Sequence, residues 1–141
     1  MRIVLLLLTL SVLLFATEDT AEKLGYYSDY ATALSVAQKE KKPLMLVVVT
    51  SYCPWCRKFE RKSLAAPNIS AKVYSRFVAV IVDRNKDAAT FPKQFQTPRI
   101  PSVFYIDPKS AKAYWETVGY LNKKEFSEAL DDAKALFYKK H

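Results

Sequence analysis

The hydrophobic positions of this chain follow two periods. Residues 44–50, LMLVVVT, are an unbroken apolar run rich in β-branched side chains. A run of this length without alternation predicts a strand buried on both faces, central in a sheet. Residues 77–83, FVAVIVD, predict a second buried strand. Residues 100–107 and 111–119 flank the turn DPKS and read as a hairpin. Between these runs the period becomes helical. In residues 28–43, Tyr30, Leu34 and Ala37 with Gln38 share a face, Ser28 or Asp29 can cap, and Pro43 ends the pattern. Residues 54–64 predict a helix with Pro54 in its first turn, where a missing N–H costs nothing. Residues 67–77 restart a helix with Ile69, Val73 and Phe77 on one face, and residues 86–96 are a short Pro-broken helix or loop. Residues 122–140 close the chain as an amphipathic helix. Asn122 and Glu125 suit a capping box, and Phe126, Ala129, Leu130, Ala133, Leu136 and Phe137 form the apolar stripe. The order is that of an α/β fold, a central mixed sheet flanked by helices, with a βαβ unit in its first half.

The first residues read differently. Arg2 followed by the 13-residue apolar run 3–15 and Ala16 has the layout of a secretory signal peptide, and the run is shorter than the ~20 residues that span a bilayer. The expected organisation is a leader over 1–16, a short segment over 17–28 and one domain over 29–141. Leu14 is a poor small residue at the −3 position, so an uncleaved membrane anchor is the alternative. Export to a periplasmic or similar compartment allows disulfides to persist. The formal net charge is +8, and loss of residues 1–16 removes only Arg2, leaving +7. Export and the lack of a groove-reading motif argue against nucleic acid as the partner of that charge. A solvated basic surface, an acidic partner or an anionic membrane surface fits it.

Cys53 and Cys56 are the only cysteines of the chain, and they directly follow the first buried strand. A tetrahedral zinc site needs four ligands, and two Cys with His141 fall short, so no metal is expected. A structural staple closing so short a loop constrains almost nothing. The redox reading has a mechanism. At a strand end and helix start, Cys53 meets unsatisfied N–H groups and the positive end of the helix dipole, both of which favour thiolate. Arg57, Lys58, Arg61 and Lys62 add positive potential, mostly at screened range. Cys53 is then the exposed attacking thiol, and Cys56, one turn deeper, resolves the mixed disulfide.

With SYCPWC after a buried strand, RIPSVFYID, and TVGY before the last helix, the chain resembles the thioredoxin superfamily over roughly residues 29–138. The resemblance implies a thioredoxin-like fold, a cis bond at Ile100–Pro101 in a loop facing the cysteines, and Gly119 closing the hairpin. It further implies substrate contacts from Tyr52, Pro54, Trp55, Ile100, Pro101, Gly119 and Tyr120, with the backbone of Ile100 pairing to an extended segment. Within the superfamily, CPWCRKFE and the V-x-V-D strand resemble the exported group that includes the C-terminal domain of the reductase DsbD. Two positions depart from that group. Pro54 resembles the oxidant DsbA, and Val47 stands where relatives carry a buried Asp six residues before the first Cys. Glu60, one turn beyond Cys56, is the replacement candidate for the proton relay, with Asp83 as the alternative and a surface ion pair as the plain reading of Glu60.

The expectation is a thiol–disulfide oxidoreductase of the cell envelope without a cofactor, acting on exported proteins with cysteines or disulfides, with a membrane electron donor of DsbD type as its source. The motif pattern leans to reductase or interchange; Pro54 and an oxidising compartment lean to oxidant. A thioredoxin-fold binding module without redox turnover is the reading from another class, since fold alone does not fix function.

Overall fold

The continuous apolar run forms β1, Leu44–Val49, and all six of its residues are buried. It lies inside a four-stranded sheet of order β2-β1-β3-β4 in the computed structural model, which describes residues 16–141. The other strands are β2, Val78–Asp83; β3, Ser102–Asp107; and β4, Lys112–Val118. β1 pairs parallel with β2 and antiparallel with β3, and β3 pairs antiparallel with β4 as the expected hairpin. The helices are α1, Ala16–Leu24; α2, Tyr30–Glu40; α3, Pro54–Phe59; α4, Pro67–Arg76; and α5, Lys123–Lys140. A π-helical turn, Glu60–Leu64, continues α3.

Alternation along the strands divides the core in two. Met45, Val47, Val49, Ala79, Ile81, Val103 and Tyr105 face one layer, where they meet Cys56 and Phe59 of α3, Ile69 and Val73 of α4, and Phe126, Leu130 and Ala133 of α5. Leu44, Leu46, Val48, Val80, Phe104 and Ile106 face the other, against Tyr30, Ala33 and Ala37 of α2 and the ring of Phe95. Both central strands therefore have apolar partners on each side, which is why their sequences do not alternate. Asp29 caps α2, its carboxylate accepting the Thr32 N–H at 2.9 Å, and Lys41 in the left-handed region ends the helix two residues before Pro43. The capping box at α5 is present in both directions, Glu125 N–H to Asn122 and Asn122 N–H to Glu125. Residues 86–96 hold a single 3₁₀ turn, Lys93–Phe95.

The leader proposed over 1–16 falls almost wholly outside the described residues. Residues 17–28 are more than a lead-in. They carry most of α1, whose Ala21 joins the core, and Tyr26 is buried beside it. Tyr27 forms a parallel bridge to Val80 on the outer edge of β2, donating to Ala79 O at 2.8 Å and accepting from Ile81 N–H at 3.0 Å.

Candidate active site

Three loops meet at one end of the sheet. Residues 50–53 leave the C-terminal end of β1. The register Val48↔Ser102 brings the segment before β3, with Ile100 and Pro101, to the same end. The register Ser102↔Val118 adds the segment after β4, with Gly119 and Tyr120. Gly119 has φ +88°, a conformation glycine adopts without strain, and its N–H donates to Pro101 O at 2.8 Å, locking two of the loops together. The Ile100–Pro101 peptide bond is cis, and Ile100 packs against both core layers.

Cys53 and Cys56 form a disulfide with their Cα atoms 5.1 Å apart. Cys53 is the N-cap of α3, and its Sγ accepts the Cys56 N–H at 3.1 Å. Pro54 follows in the first turn, where no N–H is needed. One sulfur thus satisfies an orphan donor of the helix, in the role an oxygen plays in most N-caps. Cys53 is 9% exposed and Cys56 fully buried, so the order of access is the expected one, although Cys53 is more covered than an exposed thiol.

The walls of this site are set by charged groups that reach back to β1. Arg57 donates from one terminal nitrogen to Thr50 O at 3.0 Å and to Glu60 Oε1 at 2.9 Å, while its Nε lies 2.8 Å from Glu60 Oε2. The guanidinium therefore ties α3 to the end of β1. Glu60 is largely buried, not a surface group. Burial pushes its carboxyl above the ordinary range, and the Arg57 charge partly offsets that. Its N–H donates to Cys56 O, so it follows Cys56 by one turn even as the π-helical turn begins. Val47 is fully buried in the same layer as Cys56, so the usual position of the acid is apolar.

Asp83, the alternative acid, is engaged elsewhere. Its carboxylate accepts the Ser51 hydroxyl at 2.9 Å, the Asn85 N–H at 2.8 Å and the Lys86 N–H at 3.0 Å. Burial pushes its pKa up, but the bonds from Lys86, Asn85 and Ser51 outweigh burial and hold the carboxyl below the ordinary range. A group so held keeps its charge and serves as an anchor for the loop before Cys53, not as a proton carrier.

The outer face is aromatic. Trp55 is 58% exposed, and its ring lies 5.6 Å from that of Tyr120, which also meets Phe59 edge-on. Lys58 Nζ sits 5.1 Å from the Trp55 ring centre and 4.8 Å from that of Tyr120. Tyr52, 95% exposed, has no ring contact with this pair among the described residues. The sequence brought Lys58 forward only as screened charge; its spacing of three from Trp55 was the available signal. Ser63 went unremarked as a support. Ser63, in the π-helical turn, donates to Leu121 O at 2.6 Å and so holds the loop that carries Tyr120. Among the described residues no cluster of His, Cys, Asp and Glu has the arrangement of a metal site.

A family model described as a thioredoxin-like domain matches residues 30–134. Among solved structures, a thioredoxin from Thermus thermophilus superposes with TM-score 0.67 at 22% identity, over 76% of this chain and 85% of that one. A DsbH oxidoreductase gives 0.67 at 21%, over 78% and 84%. The oxidised C-terminal domain of DsbD from Neisseria meningitidis gives 0.59 at 21%, over 77% and 98%. At these identities the likeness is one of fold. A curated relative, spermatogenesis-associated protein 20 of Rattus norvegicus, is 39% identical over 54 residues, which are 38% of this chain and 7% of that protein.

Proposed function

The chain belongs to the thioredoxin-like domain family, and from that premise we propose that it is an exported thiol–disulfide oxidoreductase that reduces or interchanges disulfides of cysteine-containing proteins. The observation that carries this reading is the Cys53–Cys56 disulfide with Cys53 as the cap of α3. In the reducing direction the Cys53 thiolate attacks one sulfur of a partner disulfide. The S–S bond of the partner breaks, a mixed disulfide forms, and the partner's other sulfur leaves as thiolate. Cys56 then loses its proton and attacks Cys53 Sγ. The second partner sulfur leaves as thiolate, and two electrons have passed from the protein to its partner. Glu60, one turn from Cys56 and held above the ordinary carboxyl range by burial, is the proton acceptor in this proposal. Export rests on Arg2 and the apolar run 3–15; no helix among the described residues is long and apolar enough to cross a membrane. A membrane electron donor of DsbD type would return the electrons.

The sulfur cap favours the thiolate form of Cys53, and with Pro54, where the sequence resembles the oxidant DsbA, it supports a second reading, an oxidant of the DsbA kind. Insulin reduction by the full chain with dithiothreitol as reductant tests the first claim: turnover is expected, and its absence leaves a binding module. The reduction potential against glutathione then decides direction, near ~−270 mV for a reductant and ~−120 mV for an oxidant.

A further inference from the structure

The segments that build the mouth of the site, residues 52–62, 97–101 and 119–124, contain one carboxylate, Glu60, and it is taken by Arg57. Among the described residues, Lys58, Arg61, Lys62, Arg99, Lys123 and Lys124 have no carboxylate within ion-pair distance. All six are exposed. The next acidic groups are committed: Glu125 accepts the Asn122 N–H in the α5 cap, and Asp83 holds Ser51 and two amides. The rest of the chain nearly balances, with 15 basic and 13 acidic residues against seven and one in these segments. The excess positive charge is thus concentrated where a partner must approach the disulfide. Lys58 is the best-placed of the group. Two aromatic faces hold its ammonium beside Trp55, within 5.1 Å of both ring centres, and leave its donors free for an incoming acceptor.

Resting on the oxidoreductase reading, we propose that this face selects disulfides set in acidic segments, with a carboxylate of the partner chain meeting Lys58 while an apolar neighbour lies on Trp55 and Tyr120. Charge complementarity carries the choice of partner. An excess of unpaired cations raises the local concentration of an acidic chain and disfavours a basic one, and both effects weaken as salt shortens the screening length below roughly 10 Å.

The test uses the full chain with dithiothreitol as reductant and three peptide disulfides that differ only in the four residues flanking cysteine: all Glu, all Gln or all Lys. The expected ratio of kcat/KM for the Glu and Lys peptides is about ten or more at 20 mM salt, shrinking several-fold at 300 mM. Lys58→Glu is expected to cut that ratio about five-fold or more, whereas Lys140→Glu, the same change of net charge at the far end of α5, leaves it unchanged. Equal rates for the three peptides overturn the inference while leaving the oxidoreductase reading intact, and so does an equal effect of the two substitutions. If the three rates are equal and the protein instead binds vesicles rich in anionic lipid in a Lys58-dependent way, the face serves a membrane surface and the inference fails. If none of the three peptides is reduced, both readings fall together.

Discussion

Removal of the Asp83 carboxylate by Asp83→Ala should destabilise the protein by about 3 kcal/mol. Three bonds are lost, from the Ser51 hydroxyl and from the Asn85 and Lys86 amides. Hydrogen bonds to a charged acceptor are worth roughly 1.5–3 kcal/mol each, but the exposed amides regain water, so each of those two is discounted to about 0.5–1 kcal/mol. Ser51 contributes the remaining ~1.5 kcal/mol, and for a domain of this size the sum corresponds to about 10 °C in Tm. The pH dependence has a definite sign. The folded pKa lies below the ordinary 3.8, so the carboxylate's contribution is complete above that value and is lost as pH falls through the lower folded one. The gap between wild type and variant should therefore narrow from pH 7 to pH 2.5. Asp29 and Asp131, also held low by their hydrogen bonds, are present in both proteins and cancel in the difference. Urea unfolding of the oxidised proteins, followed by far-UV circular dichroism across that range, measures it. A gap under 1 kcal/mol at pH 7, or one that widens on acidification, refutes the role of Asp83 as the anchor of the loop before Cys53.

Cys56→Ser should accumulate mixed disulfides with partner proteins and Cys53→Ser should not, as non-reducing electrophoresis would show; equal trapping reverses the assigned roles. Glu60→Gln should slow resolution of the mixed disulfide by about ten-fold near neutral pH and leave the first attack by Cys53 intact, read by stopped-flow quenching of a partner disulfide. The same substitution should flatten a stability decline. With a folded pKa above 4.5, Glu60 makes the protein most stable below that value and less so as pH rises through the folded one. Asn122→Ala removes one half of the α5 capping box and should cost about 1 kcal/mol in urea unfolding at any pH from 6 to 8.

Features that depend on neighbours in sequence were legible. The unalternating runs of β1 and β2, the Asn122–Glu125 box and the position of Cys53 at a helix start all follow from local pattern. Features that depend on partners distant in sequence were not. In α1, Ala21 and Leu24 are the described residues that reach the core, too few for a stripe to show in ATEDTAEKL. Tyr27 pairs through its backbone, which no side chain announces. Glu60 and Arg57 were visible as a pair three apart, but their burial depends on how α3 seats against β1, and the Arg57 bond to Thr50 O spans the disulfide loop. Asp83 resembled a free acid because its role lies in the turn it nucleates. The following Asn85 and Lys86 amides fold back on its carboxylate, a turn preference that D-R-N-K carries but does not assert.

The bridge at Tyr27 bears on a hazard common to open sheets. An open sheet edge is a template for aggregation. At the outer edge of β2, Tyr27 occupies the Ala79 carbonyl and the Ile81 amide. At the opposite edge, β4 presents exposed Lys112 and Glu116 and is thrown out of register beside Tyr105 and Ile106. Both borders are thus blunted in part against pairing with a strand of another chain. Fewer free backbone groups along the borders leave fewer places where two copies of the molecule can join edge to edge.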